Sequence, residues 1–386
     1  MASMEQIAII GGGAAGLAAA VTAAERVRQA GAERRLEVVV YEAADRVGRS
    51  ILATGNGRCN FSNARLSRIG ADEAGYRNPA FVQQAFDALG AQWDQGLAFQ
   101  FGNPVLAFFA AHGLTWREES EGRLYPLANK ASVVLDALRS SAKVAGVEER
   151  CGCAIERIRF PRHEGDSLVL RAASERVHAR AVIIACGGRI ASSLLSDASP
   201  ALLFRAQEPV LGPLACKEAV TAPLDNIRVK CAVSLGRDGA TLAREEGEVL
   251  FRRYGISGIA AFNLSRWAQP GDGLLIDFLP HISDVDGFLA VRQSMLEAVY
   301  GAQLTPTALL RGMLLPQVSR AVCEQAGVRE RQSLSAEGRA SLGRVLKGFP
   351  LTVKGIGDAA QCQVMRGGID VDAVDAATMA VRNHPT

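Results

Sequence analysis

Ile7-Ala8-Ile9-Ile10-Gly11-Gly12-Gly13-Ala14-Ala15-Gly16 is the stretch on which the fold of this 386-residue chain turns. A short apolar run, suited to a strand buried on both faces, passes there straight into G-x-G-x-x-G. Helix-forming residues follow from Leu17 to Arg28, and Leu36 to Tyr41 reads as a second strand ending at Glu42. Each glycine has a task in that order. Gly11 permits the tight turn, Gly13 lets backbone approach a pyrophosphate, and Gly16 lets helix and strand pack closely. Phosphates then sit on the unpaired N–H groups at the positive helix end, where Ala14 and Ala15 lie. Glu42 stands 26 residues after Gly16, next to Ala43. At the end of the second strand its carboxylate can accept both ribose hydroxyls of an adenosine. The same charge repels a 2′-phosphate, which disfavours NADP at this place.

The residues after Glu42 separate a flavin from a nicotinamide dinucleotide. Asp45-Arg46-Val47-Gly48-Arg49 leads into Thr54-Gly55-Asn56-Gly57-Arg58-Cys59-Asn60. A simple NAD dehydrogenase needs no second glycine-rich, arginine-bearing loop directly after its ribose acid. The longer FAD molecule does, because it runs past the second strand and needs amides and an arginine near its phosphates and ring. Gly48, Arg49, Gly57, Arg58, Cys59 and Asn60 are therefore expected at the cofactor. Val177 to Ile184 reads as another strand, ending in Ala185-Cys186-Gly187-Gly188. Small residues there, Ala185 and Gly187, let the chain pass close to the same ligand.

Gly11 to Gly16, Glu42, Gly48-Arg49 and Gly57-Arg58-Cys59-Asn60 together resemble a family of two-domain FAD-dependent oxidoreductases. That family includes the 3-dehydro-bile-acid Δ4,6-reductases and the flavoproteins called the aminoacetone oxidase family. The resemblance continues through Glu121-Gly122-Arg123-Leu124-Tyr125-Pro126, Gly255-Ile256-Ser257-Gly258, Asn263-Leu264-Ser265-Arg266 and Gly367-Gly368. It implies FAD as cofactor, with a hydride passing through flavin N5, NAD(P)H as a possible donor and a hydrophobic unsaturated small molecule as acceptor. It also implies that the backbone near Ile155, within a strand-like run from Val147 to Ile158, meets the adenine.

Departures from the family pattern keep two other readings open. The family's Lys after Gly-Arg is Ser50 here, its Thr-His pair is Arg252-Arg253, and its Pro after the Gly-x-Ser-Gly turn is Ile259. Its Ser-, Thr- and Gly-rich loop is not recognisable in Arg189 to Leu203. The chain stops at Thr386, before the family's closing Gly-Glu…Asp segment and helix, so a truncated chain or weak flavin binding is expected. A binding module that keeps the fold without the flavin is one alternative, and an NAD-dependent dehydrogenase is the other.

Composition narrows the class. With 48% hydrophobic and 22% charged residues, the chain can bury a large core and is not disordered as a whole. Lys+Arg number 43 against 40 Asp+Glu, and such balance gives no support to a polyanion-binding role. The isolated pairs Arg34-Arg35 and Arg252-Arg253 read as solvated surface. Ile7 to Ala24 is uncharged over 18 residues, but its four glycines and its change from β-branched to alanine-rich character read as strand into helix. No membrane span and no nucleic-acid partner are expected, and a reduced, cytoplasmic setting is the default. Five scattered histidines (112, 163, 178, 281 and 384) form no metal or hydrolytic motif, so no metal is expected. Cys59 beside Arg58 reads as a packed residue rather than a nucleophile. Cys151-x-Cys153 reads as two strand residues facing one way. Asp284 reads as a helix cap.

The expected architecture is α/β: a Rossmann-like FAD/NAD(P)-binding fold with an inserted α+β domain. The first domain is expected over 1–189, the insertion over 190–348, and a return to the first domain over 349–386. No catalytic residue and no oligomeric state follow from these residues.

Overall fold

The computed structural model describes residues 4–67, 78–92, 104–160, 167–173, 175–196, 204–330 and 334–382. The loop of residues 189–203 is thus described only to 196, and His163 and His384 lie outside the described residues. The chain divides into two compact units, Met1–Gln207 with Gly367–Thr386, and Glu208–Arg366.

The first unit is built on a four-stranded parallel sheet. Its strands are β1 (Glu5–Ile10), β2 (Leu36–Glu42), β3 (Glu148–Cys151) and β4 (Ala181–Ile184), in the order β4-β1-β2-β3. Ile7 pairs with Val38 on one side and with Ala181 on the other. Alternate residues of β1 and β2 enter different cores, as a sheet covered on both faces requires. Ile9, Val38 and Val40 pack with Leu17, Val21 and Leu138, from helices α1 (Ala14–Gln29) and α3 (Ala131–Val144). Ala8, Ile10, Val39 and Tyr41 pack with Ile155, Leu168 and Leu170 from an antiparallel sheet of 155–159, 168–172 and 176–179. The short helix α2 (Arg49–Ala53) follows β2.

Two expected strands divide. The run 147–158 breaks at Gly152, which turns with φ +68. The run 177–184 breaks at Arg180, where the chain leaves the antiparallel sheet and enters the parallel one as β4. Cys151 and Cys153 therefore flank a turn instead of sharing a strand face.

The second unit is a closed barrel of β5 (Leu214–Cys216), β6 (Arg228–Arg237), β7 (Ala240–Arg252), β8 (Gly255–Ser257), β9 (Gly273–Asp277) and β10 (Phe349–Ile356). Its order is β5-β8-β7-β6-β9-β10. Helices α4 (Val285–Tyr300), α5 (Pro316–Gln325) and α6 (Ala336–Lys347) share its core through Leu289, Val318, Val322, Leu342 and Leu346. Asp284 caps α4 by accepting the Gly287 N–H at 2.9 Å, as read from the sequence. Pro306 and Pro316 each open a helix, over 306–310 and 316–325, as proline suits the first helical turn.

Both unit boundaries differ from the sequence expectation. Helix 188–196 sends Leu194 into the core beneath the parallel sheet, so the first unit runs on to Gln207. Residues 349–356 do not return to the first unit. They form β10, paired with β9 and β5, because an open barrel would leave two edges unpaired. Among the described residues no helix is long and apolar enough to cross a membrane. Phe349 is fully buried at that closing strand. Phe349→Ala is expected to lower unfolding free energy by about 3–5 kcal/mol, read by urea denaturation. A loss below about 1 kcal/mol would contradict its place in the barrel core.

Candidate functional site

The carboxyl ends of β1, β2 and β4 meet around a groove of about 530 Å³. The turn after β1 lines it with Gly11 to Ala15. The end of β2 adds Glu42, Ala44 and Arg46, α2 adds Gly48, Arg49 and Ser50, and the end of β4 adds Ala185 to Gly187. A ligand crevice at this end of a parallel sheet follows from the topology.

Local sterics explain the glycines. Gly11 has φ +103, and a Cβ there would stand 2.6 Å from the Cys186 Cα. A Cβ on Gly16 would lie 1.8 Å from the Gly11 carbonyl oxygen, so only glycine lets α1 start this close to the turn. A Cβ on Gly12 would meet the Val47 side chain at 2.5 Å, whereas the nearest atom to one on Gly13 is Ser50 Oγ at 3.4 Å. Gly13 is thus the open position of the turn. Gly48 has φ +76, and its missing side chain makes room for Leu135 of α3.

Hydrogen bonds then stitch the turn to β2. Glu42 accepts the Gly12 N–H on Oε2 at 2.7 Å and the Ala44 N–H on Oε1 at 2.8 Å. Gly48 donates to the Gly12 carbonyl at 2.8 Å, and Gly11 donates to the Tyr41 carbonyl at 2.8 Å. Glu42 therefore holds the turn in shape, and with about four lone-pair sites on a carboxylate it keeps capacity for ribose hydroxyls.

The amino end of α1 is the complementary feature. Its N-cap is Gly13, no side chain caps it, and no acidic residue stands in its first turn. Such an end leaves N–H donors and a positive dipole terminus facing the groove, a setting that favours an anion. A dinucleotide with a pyrophosphate between ribose groups fits this donor set, phosphates at the helix end and sugar at Glu42.

The structure brings together Gly11, Gly13, Ala14, Ala15, Glu42, Gly48, Arg49, Ala185 and Gly187 of the sequence-predicted residues. Gly16 acts from behind the turn, and Ala43 faces solvent beside it. The second glycine loop, with Gly57, Arg58, Cys59 and Asn60, is not among the residues that line this groove. Arg58 donates to Asn129 Oδ1 at 2.5 Å and to Glu119, and stacks 4.0 Å over the Tyr125 ring. These partners satisfy its charge, and the Arg58 hydrogen bond holds the Glu119 carboxyl below its ordinary range. The Asn60 amide faces the carbonyls of Ser62 and Leu124. Cys59 is buried in the core under α1 and α3, and burial pushes its thiol up, in line with the packed reading. Ile155 is held by the antiparallel sheet. It pairs with Ala172 and its side chain is buried beneath the sheet, away from the groove.

Gly12, Ala44, Arg46, Ser50 and Cys186 line the groove without having been singled out as cofactor contacts. Gly12, Ala44, Ser50 and Cys186 each neighbour a residue that was, and Arg46 lies between Ala43 and Gly48, so reading the three turns as continuous segments would have found them. Among the described residues no group of three or more His, Cys, Asp or Glu is placed to hold a metal ion.

The family model of the HI0933-like protein Rossmann domain matches residues 5–386. The 3-dehydro-bile acid delta(4,6)-reductase of Clostridium scindens is 30% identical over 400 residues, covering 98% of this chain and 90% of that protein. The ribosomal RNA dihydrouridine synthases of Escherichia coli and Haemophilus influenzae are 25% and 24% identical. Each covers 98% of this chain, with 88% and 89% of the relative aligned.

Desolvation pushes both the Cys59 and the Cys151 thiols up, so access of the reagent to the sulfur separates them: Cys59 is buried and Cys151 exposed. Iodoacetamide near neutral pH is accordingly expected to label exposed Cys151 well before Cys59, by peptide mass spectrometry. Equal labelling rates in the folded protein would contradict the packed role.

Proposed function

The chain belongs to the HI0933-like family of Rossmann-domain, FAD-dependent oxidoreductases, and from that premise we propose that it reduces an activated C=C bond in a hydrophobic small molecule, with NAD(P)H as electron donor. The observation that carries this reading is the groove in which the uncapped end of α1 faces Glu42.

The residues divide the work of binding. The N–H groups of Ala14 and Ala15, at the start of α1, take the pyrophosphate, and the α1 dipole favours its charge. Glu42 accepts the adenosine ribose hydroxyls with the lone pairs left by Gly12 and Ala44. Its negative charge selects against a 2′-phosphate, so NADP(H) does not compete for the same groove. Arg46 and Arg49 stand at the exposed rim, where they add positive charge for the phosphates. When bound, FAD supplies two-electron hydride chemistry that side chains alone cannot.

Reduction of a C=C bond is supported by the names of both groups of relatives. One is a Δ4,6-reductase, and the other makes dihydrouridine in ribosomal RNA. The substrate class separates them. Small-molecule reduction is the first reading, because the near-even charge balance offers no broad electrostatic surface for RNA. RNA reduction is the second reading, favoured by the full-length match to the synthases.

Purified protein is expected to be yellow or to turn yellow with added FAD. Its bound flavin should bleach with NAD(P)H and recolour with a conjugated enone, but not with ribosomal RNA. Recolouring with RNA alone would select the second reading. Protein that stays colourless with excess FAD would leave a binding module. Glu42→Ala is expected to weaken FAD binding by about 10–100-fold, the effect of about 1.5–3 kcal/mol for hydrogen bonds to a charged group. Glu42→Gln, which keeps the shape, should lose less. Unchanged FAD affinity in both variants would rule out this role for Glu42.

A further inference from the structure

Helix α4 of the barrel unit carries an apolar stripe on the side facing away from its core. Leu289 and Gln293 point inward and are buried, while Phe288, Val291, Met295 and Val299 are 36%, 64%, 67% and 74% exposed. Tyr300 extends the stripe at 40%. The spacing of three, four and four residues is that of a helix–helix seam. These exposed fractions amount to roughly 500 Å² of contiguous apolar surface, at the upper end for a monomer. We propose that this stripe is the seam of a twofold dimer, in which α4 packs antiparallel against α4 of a second copy of this chain.

Two observations favour a second copy over other occupants. The first is area: joining two such stripes removes up to about 1,000 Å² from solvent, the floor that a specific interface has to reach. The second is charge. A lipid-binding helix needs cations beside its apolar face. The one cation of α4, Arg292, is turned inward to the carbonyls of Leu309 and Arg311. Asp286 faces Gly343 of α6 and Glu297 accepts from the inward Gln293, so neither acid of α4 interrupts the stripe. A twofold pair is isologous, so the same stripe serves both copies. In that alignment Val291 of each copy packs against the position of Met295 in the other.

Sedimentation velocity of the full chain, saturated with FAD, tests this over micromolar concentrations. The wild-type chain is expected to dimerise. Val291→Lys and Met295→Glu should each be monomeric with an unchanged melting temperature, since both side chains are exposed in the folded chain. Mixing the two variants should restore dimers, because the antiparallel register sets the new lysine against the new glutamate. A monomeric wild-type chain, or dimers that survive in both single variants, would overturn the proposal. Failure of the mixture to associate would overturn the register. Flotation of the wild-type chain with phosphatidylcholine vesicles, lost in the variants, would assign the stripe to a membrane surface and also overturn it.

Discussion

The approach of α1 to the end of β1 is the constraint on which the cofactor unit depends. The Gly11 carbonyl oxygen occupies the place where a Gly16 side chain would begin, and the Cys186 backbone occupies the place of a Gly11 side chain. Three chain segments therefore converge within van der Waals distance, with no side chains between them. The same crowding leaves the first N–H groups of α1 open at the front. Glu42 locks the turn by taking one amide on each carboxylate oxygen. Packing behind the turn and anion capacity in front of it are thus two results of one backbone arrangement.

The two units bury their surface in different ways. The parallel sheet is sandwiched, so Ile7 to Ile10 and Val38 to Tyr41 carry no charge and the two faces feed separate cores. The barrel instead has one large core, shared with the helices that pack on it. Barrel closure is also what sets the second boundary. Phe349 to Ile356 completes the hydrogen-bonded ring between β9 and β5, and the chain returns to the first unit at Gly367. Charge inside this unit is handled locally. Asp277 is buried and accepts from the Leu279 N–H, with Lys347 at 2.8 Å, so its burial is compensated.

Legibility followed the range of the forces involved. The strand, turn, helix, strand and acid of residues 7–42 were readable because each depends on neighbours in the chain. The Asp284 cap was readable for the same reason. The contacts of Arg58 were not legible, because Glu119, Tyr125 and Asn129 come from sixty or more residues away. The break in the run 147–158 was missed because Gly152 turns the chain and the antiparallel sheet takes up the strand that holds Ile155.

By itself, the sequence determined that a Rossmann-type crevice exists, and that the glycine turn after β1 and the acid ending β2 line it. Those features rest on glycine sterics, helix polarity and the period of buried strands, all local properties. Tertiary structure alone decided where the barrel closes, which arginine is spent on internal contacts, and which face of α4 is left uncovered. Those outcomes depend on which distant segments come to share a surface, and residue type and spacing along the chain do not encode that directly.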